Sequence, residues 1–224
     1  MGFIFADGTI SSSPLDNNQT TQYQFELSLK LSDINHLEKA KKFFGYKRKL
    51  HTDSCRCRLE FNSKHLWDIL NSYGCTPRKS LTLKFPDKTI FKDKSLIRHF
   101  IRGYWDGDGC LTYKRLGYPT ISVLGTEHFL TNIQLILNTS NTLYNNNNKE
   151  TCITKVLKYN GVLAYNICKY MYNDCTIYLD RKYEKYLEYC RLYEESCKEP
   201  QTKIGEGCDV NPEVITEIKE SVAP

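Results

Sequence analysis

Residues 95–109 read SLIRHFIRGYWDGDG, a run in which apolar side chains recur at helical spacing before an acidic D-G-D-G ending. A similar stretch, GFIFADG, occupies residues 2–8, at an offset of 101 positions. Each copy carries two small residues four positions apart. They are Gly103 and Gly107 in one copy, and Gly2 and Ala6 in the other. Small residues at that spacing let two helix backbones approach closely, so the repeat predicts two packed helices that form the seam between two halves.

The segments that follow the two copies also correspond. In QFELSLKLS (24–32) apolar and polar residues alternate, as in a strand with one buried face, and residues 37–44 have helical spacing with Gly45 as a stop signal. Residues 118–137 repeat this order of a strand and then a helix, and in each half a further strand and a further helix follow. The sequence therefore predicts an α+β fold with two pseudo-symmetric halves, each running helix, two strands, helix, two strands, helix.

The domain prediction follows from this repeat. The N-terminal half is expected at 1–85, a linker at 86–95 within a connecting segment (77–95) that carries prolines and lysines, and the C-terminal half at 96–198. Residues 199–224 form an acidic tail to which no function is assigned.

Composition and charge narrow the class of protein. The chain has 224 residues, 40% of them hydrophobic, which is enough for a core. No run approaches the ~20 apolar residues that span a bilayer, and no secretory signal is present, so we expect an intracellular protein, cytoplasmic or organellar and not secreted. Residues 1–198 carry 29 basic and 20 acidic side chains, whereas the tail carries 2 and 6. Basic residues cluster in 41–49 (KKFFGYKRK), in CRCR and in PRKS, interleaved with aromatics, a pattern that suits binding to a phosphate backbone.

The two motif copies place one aspartate each, Asp7 and Asp108, at the C-terminal end of a predicted helix. The glycines that follow, Gly8 and Gly109, are expected to take the left-handed capping conformation. Two carboxylates that meet at a helix seam repel each other unless they share divalent cations, and hard oxygen ligands favour Mg²⁺ or a similar ion. A lone D-G-D-G also fits a tight turn or a calcium loop, but no further acidic ligands follow at the required spacing. The doubled motif favours metal-assisted phosphodiester hydrolysis.

These residues resemble a known family. Ile101–Gly109 (IRGYWDGDG) resembles the second LAGLIDADG motif of single-chain homing endonucleases, and Met1–Gly8 (MGFIFADG) resembles the first motif with its beginning missing. The resemblance covers about residues 1–190 and implies an αββαββα fold in each half with a saddle of antiparallel strands along the DNA major groove. It further implies that a monomer, acting as a pseudo-dimer, cuts both strands of a target site in an intron or intein mobility pathway, leaving short 3′ overhangs.

The resemblance also implies site residues. Asp7 and Asp108 would hold Mg²⁺ or Mn²⁺ together with the backbone carbonyls of Ala6 and Gly107. A basic residue is expected near each metal site, and aligning CRCRLEFN with CITKVLKYN pairs Arg58 with Lys155, with Arg56 and Lys158 as competitors. Further candidate DNA contacts are Glu26, Ser28, Lys30, Lys47, Arg48, Lys49, Lys114, Arg115, Thr120 and Ser122.

Other functions of the same fold stay open. By comparison with the second copy, the first motif helix is expected to need about ten more residues before Gly2. A shortened helix would suit a catalytically inactive DNA-binding regulator. An intron RNA maturase and the endonuclease insert of a larger intein are further alternatives. No membrane partner is expected.

Overall fold

The chain consists of two α+β halves with the same order of elements. A computed structural model describes residues 1–15, 20–113, 119–146 and 153–198. The first half contains α1 (Gly2–Asp7), β1 (Gly8–Leu15), β2 (Thr20–Lys30), α2 (Ile34–Phe43), β3 (His51–Thr52), β4 (Arg56–Asn62) and α3 (Lys64–Ser72). The second contains α4 (Leu96–Asp108), β5 (Gly109–Tyr113), β6 (Pro119–Thr126), α5 (Glu127–Leu137), β7 (Leu143–Asn145), β8 (Thr154–Asn160) and α6 (Gly161–Tyr172), followed by α7 (Asp180–Lys198). The predicted αββαββα order is confirmed in both halves.

Each half has its own four-stranded antiparallel sheet, in the order β1-β2-β4-β3 and β5-β6-β8-β7. The predicted alternation along β2 is observed, because Phe25 and Leu27 are buried while Glu26 and Ser28 are only partly covered. The buried face of each sheet packs on its helices through residues such as Leu59. The opposite, outer faces are therefore free to meet a ligand.

The seam between the halves is the contact of α1 with α4. A Cβ added to Gly103 would come 2.7 Å from the backbone nitrogen of Phe3, and one added to Gly2 would overlap the carbonyl oxygen of Phe100. Phe5 and Phe100 meet edge to face, with ring centroids 5.1 Å apart. The prediction that small residues bring these two helices together is confirmed.

The two glycines after the motif helices differ from the prediction. Gly8 (φ −74°, ψ 148°) and Gly109 (φ −93°, ψ 164°) are extended and not left-handed, because β1 and β5 start directly at these residues. Glycine is required there for space. A Cβ on Gly8 would lie 2.6 Å from the Ile4 carbonyl oxygen, and one on Gly109 would overlap the Trp105 carbonyl oxygen. The chain thus leaves each helix folded tightly against its last turn.

The seam is shorter than α4. Helix α1 has 6 residues and α4 has 13. Beside the first turns of α4 lies a mainly apolar cleft of about 700 Å³, whose lining includes Phe43, Ile90, Phe91 and Leu96. The N-terminal part of α4 therefore faces this cleft instead of α1.

Polar contacts also join the halves on both sides of the seam. On one side, the α2 region contacts residues 178–181, which lead into α7. Arg181 contacts Asp33 (3.1 Å), His36 Nδ1 lies 3.1 Å from the Tyr178 carbonyl oxygen, and Lys39 contacts Asp180. On the other side the Thr126 hydroxyl, which also caps α5, donates to the Leu83 carbonyl oxygen (2.5 Å). Each half thus contacts the segment that follows the third helix of the other half. No helix within the described ranges is both long and apolar enough to cross a membrane.

Candidate active site

Asp7 and Asp108 meet at the end of the seam. Each is the last residue of its motif helix, as predicted. A Cβ added to Gly107 would lie 3.0 Å from Asp7 Oδ2, so the Asp7 carboxylate rests against the last turn of α4, beside Asp108. Both side chains are only partly exposed. The structure therefore brings together the two carboxylates that the repeat singled out.

This environment disfavours their negative charge. Burial, followed by the charge of Asp7, raises the pKa of Asp108 to about 6, and burial raises the pKa of Asp7. The hydroxyl of Tyr104 lies within hydrogen-bonding distance of the Asp108 carboxylate and of the Leu124 carbonyl oxygen (2.9 Å). A divalent cation between the two carboxylates would relieve their repulsion.

Two buried lysines, which the sequence argument did not assign to the site, neighbour these aspartates. Lys79 lies in a short 3₁₀ turn after α3, and Lys182 lies in the first turn of α7. They are 8% and 3% exposed, and their charges act on both Asp7 and Asp108. Lysines are almost never buried this deeply unless they are paired. The site thus pairs two carboxylates with two ammonium groups, one of each from each half.

Both lysines donate to the carbonyl of the glycine after their own motif aspartate. Lys79 Nζ donates to Gly8, and Lys182 Nζ donates to Gly109 (2.5 Å). Lys182 also contacts carbonyls of the last turn of α4, where a helix runs out of intrahelical donors, although the Trp105 carbonyl also accepts from the Gly109 backbone N–H. These are the carbonyls of Trp105 (2.8 Å), Asp106 (2.6 Å) and Gly107 (3.3 Å). Burial lowers the pKa of Lys182 to about 8, although the nearby Asp106 opposes this shift.

A repeat in the sequence marks these lysines. Residues 75–79 read CTPRK and residues 175–182 read CTIYLDRK, so each half has Cys-Thr and then Arg-Lys after its third helix. The residue before each Cys-Thr, Gly74 (φ 92°) or Asp174 (φ 54°), is left-handed in both halves. The different spacing between the two pairs hides this repeat.

A buried carboxylate distinguishes the second half. Asp106 is 2% exposed and accepts hydrogen bonds from the Tyr172 hydroxyl (2.6 Å) and the Leu179 backbone N–H (3.2 Å). Burial raises its pKa to about 6. The matching position in the first motif is the apolar Phe5. At this matched position the second half therefore places a carboxylate near its lysine, whereas the first half places an aromatic ring.

The sequence alignment that paired Arg58 with Lys155 is wrong by one residue. Leu59 is opposite Leu27, which is opposite Gly8, while Leu157 is opposite Val123, which is opposite Gly109. Leu59 therefore matches Leu157, and the two strands share the pattern Leu-x-aromatic-Asn.

The corrected register makes Val156 the counterpart of Arg58. Arg58 is on the outer face, near Glu26 (4.0 Å) and Glu60 (3.5 Å). Lys155 is in line with the buried Leu157 and donates to Asn145 (2.6 Å), with Glu127 at 4.0 Å. Because side chains alternate along a strand, Lys155 lies on the face that packs on the helices.

The other candidate DNA contacts fall into four groups. Outer-face positions on the strands are held by Glu26, Ser28, Lys30, Arg56, Ser122 and Lys158, and the exposed loop after α2 carries Lys47, Arg48 and Lys49. Thr120 was expected to be exposed and to contact a base. It is instead 6% exposed, and its hydroxyl donates to Asn160 Oδ1 (2.9 Å). Lys114, Arg115 and the acidic tail 199–224 lie outside the described residues.

The donors at the seam suit a hydrated divalent cation. In the described part of the chain, no group of three or more His, Cys, Asp or Glu side chains is placed to hold a metal. Mg²⁺ is commonly bound by one or two carboxylates, with water and substrate phosphates completing its shell. Asp7 and Asp108 meet that requirement, and the backbone oxygens of Ala6 and Gly107 are adjacent to them in the sequence.

Comparisons with known proteins agree with this architecture. Residues 1–87 match the family described as LAGLIDADG endonuclease. Meganuclease I-SmaMI bound to uncleavable DNA has a similar fold, with 13% identity, a TM-score of 0.61, and coverage of 98% of this chain and 93% of that one. The K262A mutant of I-SmaMI is also similar, with 13% identity, a TM-score of 0.62, and coverage of 98% of this chain and 95% of that one. The I-LtrWI LAGLIDADG homing endonuclease bound to target DNA has 12% identity, a TM-score of 0.58, and coverage of 98% of this chain and 93% of that one.

No curated protein matches the sequence. At identities of 12–13% the structural similarity shows a shared fold, and the activity has to be argued from the site. Residues 1–87 thus carry the sequence pattern of the LAGLIDADG endonucleases, and the two halves together have the LAGLIDADG homing endonuclease fold.

Proposed function

We propose that this chain is a site-specific DNA endonuclease that hydrolyses phosphodiester bonds in both strands of a duplex with Mg²⁺ or Mn²⁺. The observation that carries the proposal is the meeting of Asp7 and Asp108 at the seam, with the buried Lys79 and Lys182 beside them. The pseudo-twofold arrangement provides one carboxylate and one lysine per half. A monomer with this arrangement can address one scissile phosphate in each strand.

Each group has a chemical task. When bound, a divalent cation polarises the phosphate and lowers the pKa of coordinated water. Asp7 and Asp108 would hold the cation, with the carbonyls of Ala6 and Gly107 as further oxygen donors. The ammonium groups of Lys79 and Lys182 would stabilise the negative charge that builds up on the phosphate. Because the pKa of Lys182 is about 8, this group is also suited to exchange a proton near neutral pH.

The outer faces of the two sheets are the proposed DNA surface. They carry polar and basic side chains that can contact base edges and phosphates, including Lys30, Arg56, Arg58 and Lys158. The similar structures of I-SmaMI and I-LtrWI are both described as bound to DNA. Arg58 lies on the outer face that would meet the DNA, whereas Lys155 faces the helices. Lys155 is therefore no longer proposed to act at the phosphate.

The test is cleavage of a plasmid library of candidate sites by the wild type and by Asp108→Asn. With Mg²⁺ we expect the wild type to cut both strands and the variant to lose cutting by at least about a hundredfold, since one carboxylate ligand is gone. Its DNA affinity should change little. Asp68→Asn, an exposed aspartate on α3, is the matched control and should cut normally. Normal double-strand cutting by Asp108→Asn would refute the mechanism, and wild-type binding without cutting would identify a regulator instead.

A further inference from the structure

The two outer faces differ at the positions nearest the aspartates. Gly8 is paired with Leu27, and Leu27 with Leu59, so the next position towards Asp7 is held by Ser28 and Arg58. In the second sheet Gly109 is paired with Val123, and Val123 with Leu157. The next position towards Asp108 is therefore held by Leu124 and Val156. The first sheet thus has a hydroxyl and a guanidinium where the second has two aliphatic side chains.

These four side chains point to the same side of their sheets. Their strand neighbours Leu27, Leu59, Val123 and Leu157 are all buried against the helices. Because successive side chains along a strand alternate, Ser28, Arg58, Leu124 and Val156 lie on the outer face. Neighbouring strands are about 4.8 Å apart, so these positions are within roughly two strand spacings of the motif aspartates.

The first sheet offers directed polar groups. Arg58 contacts Glu26 (4.0 Å) and Glu60 (3.5 Å), and Gln24 Nε2 donates to Glu60 (2.5 Å). The Arg58 side chain is 45% exposed, so its guanidinium remains accessible. An arginine at such a position can donate two hydrogen bonds to guanine in the major groove.

At the two matching positions on β6 and β8 the second sheet offers apolar side chains, and Tyr144 of β7 lies beside Val156. The side chains of Leu124 and Val156 have no hydrogen-bonding atoms and are partly exposed. Among the bases, the C5-methyl group of thymine is the apolar feature of the major groove that such side chains can contact. The next outer-face positions along β6 and β8 carry the polar side chains of Ser122 and Lys158.

We propose that the two half-sites of the DNA target are recognised by different chemistry at their innermost contacted base pair. Arg58 selects guanine in the half-site on the first sheet. Leu124 and Val156 select thymine through its methyl group in the half-site on the second sheet. This inference rests on the proposed function and specifies the substrate of that same site.

The first experiment selects duplexes that the full-length wild type binds from a randomised library, in Ca²⁺ buffer. We expect an asymmetric site with guanine at the inner position of one half and thymine at the inner position of the other. Selection is then repeated with the exchange variants Arg58→Val and Val156→Arg. Each variant should change its own half-site only, and Val156→Arg should shift the preference from thymine to guanine on the order of tenfold.

The second experiment needs no variant and isolates the methyl group. The inner thymine is replaced by deoxyuridine, which lacks only the C5-methyl group, and wild-type affinity is measured. We expect binding to weaken about threefold to fourfold, as for one buried methyl group, whereas the same exchange at an uncontacted position has no effect.

The outcomes separate this inference from the proposed function. Enrichment of a site with the same inner base preference in both halves, or equal affinity for thymine and deoxyuridine, overturns the inference and leaves the endonuclease proposal intact. No enrichment of any DNA by the folded protein overturns both.

Discussion

Lys79 and Lys182 occupy matching places but have unequal structural roles. Lys79 contacts one backbone carbonyl, whereas Lys182 contacts four, three of them from the last turn of α4. Without Lys182 the buried Asp106 carbonyl would lose this partner, and an unsatisfied buried polar group costs about 1–3 kcal/mol. The unequal contacts predict unequal effects on stability.

We expect Lys182→Met to lower the free energy of unfolding by about 2 kcal/mol more than Lys79→Met does. Both variants should also cut DNA poorly if the proposed function holds. Urea denaturation followed by circular dichroism measures the difference, and Lys64→Met, on an exposed face of α3, serves as the control. Equal losses from the two site lysines would contradict the contact pattern.

The raised pKa of Asp108 predicts a pH-dependent stability. With a folded pKa of about 6 against an ordinary 3.8, the folded protein binds more protons than the unfolded chain between these values. Stability therefore falls as pH rises from 3.8 to 6 and stays reduced above that window. A shift of roughly two pKa units corresponds to at most about 3 kcal/mol.

In the presence of EDTA, Asp108→Asn should therefore be more stable than the wild type at pH 7.5, by about 2 kcal/mol, and equally stable near pH 4. Thermal unfolding at the two pH values measures this. A variant that is less stable than the wild type at pH 7.5 would show that the carboxylate is not destabilised by its surroundings.

At the scale of elements, the α1–α4 seam depends on glycine. A Cβ on Gly103 would lie 2.7 Å from a backbone nitrogen of α1, and backbone cannot move aside as a flexible side chain can. We expect Gly103→Ala to destabilise the protein by about 3 kcal/mol, since overpacking forces the two helices apart. His128→Ala, at an exposed site on α5, should change stability by less than about 0.5 kcal/mol. Unchanged melting of Gly103→Ala would rule out this close approach.

The elements that the sequence predicted well are those with local periodicity or an internal copy. The alternation from Phe25 to Leu29 and the repeat around Asp7 and Asp108 are visible without any long-range information, and the structure has both features. Lys79 and Lys182 were missed because burial, not local pattern, identifies them. In the sequence neither lysine differs from an ordinary surface lysine. Only the fold buries them beside the ends of the two motif helices.

Strand register was the other limit. The sequence alignment of β4 with β8 paired Cys55 with Cys152. The register of the strands is set instead by which residues face the core. Leu59 and Leu157 are both buried, and this decides the register. A slip by one residue moved Lys155 from the helix side to the outer side. The same information was present in the shared ending Leu-x-aromatic-Asn.

At the scale of the whole molecule, the halves are interlocked. Arg181 of the second half contacts Asp33 of the first, and Thr126 of the second half contacts Leu83, in the segment after α3 of the first. Phe85 lies between Phe100 of α4 and Phe129 of α5, with ring centroids 5.2 Å from each. Apolar and polar contacts thus run across the boundary on both sides of the seam. Such a shared core favours unfolding as one cooperative unit.

The two tryptophans allow this cooperativity to be measured, because Trp67 lies in the first half and Trp105 in the second. In Trp67→Phe the remaining fluorescence reports the buried Trp105, while far-ultraviolet circular dichroism reports helices of both halves. The substitution should be mild because the Trp67 indole N–H has no hydrogen-bond partner and a ring is retained. We expect the fluorescence and dichroism transitions in urea to coincide at one midpoint. If the halves were independent domains, Trp105 would report only the second half, and the dichroism curve would contain an additional transition that the fluorescence curve lacks.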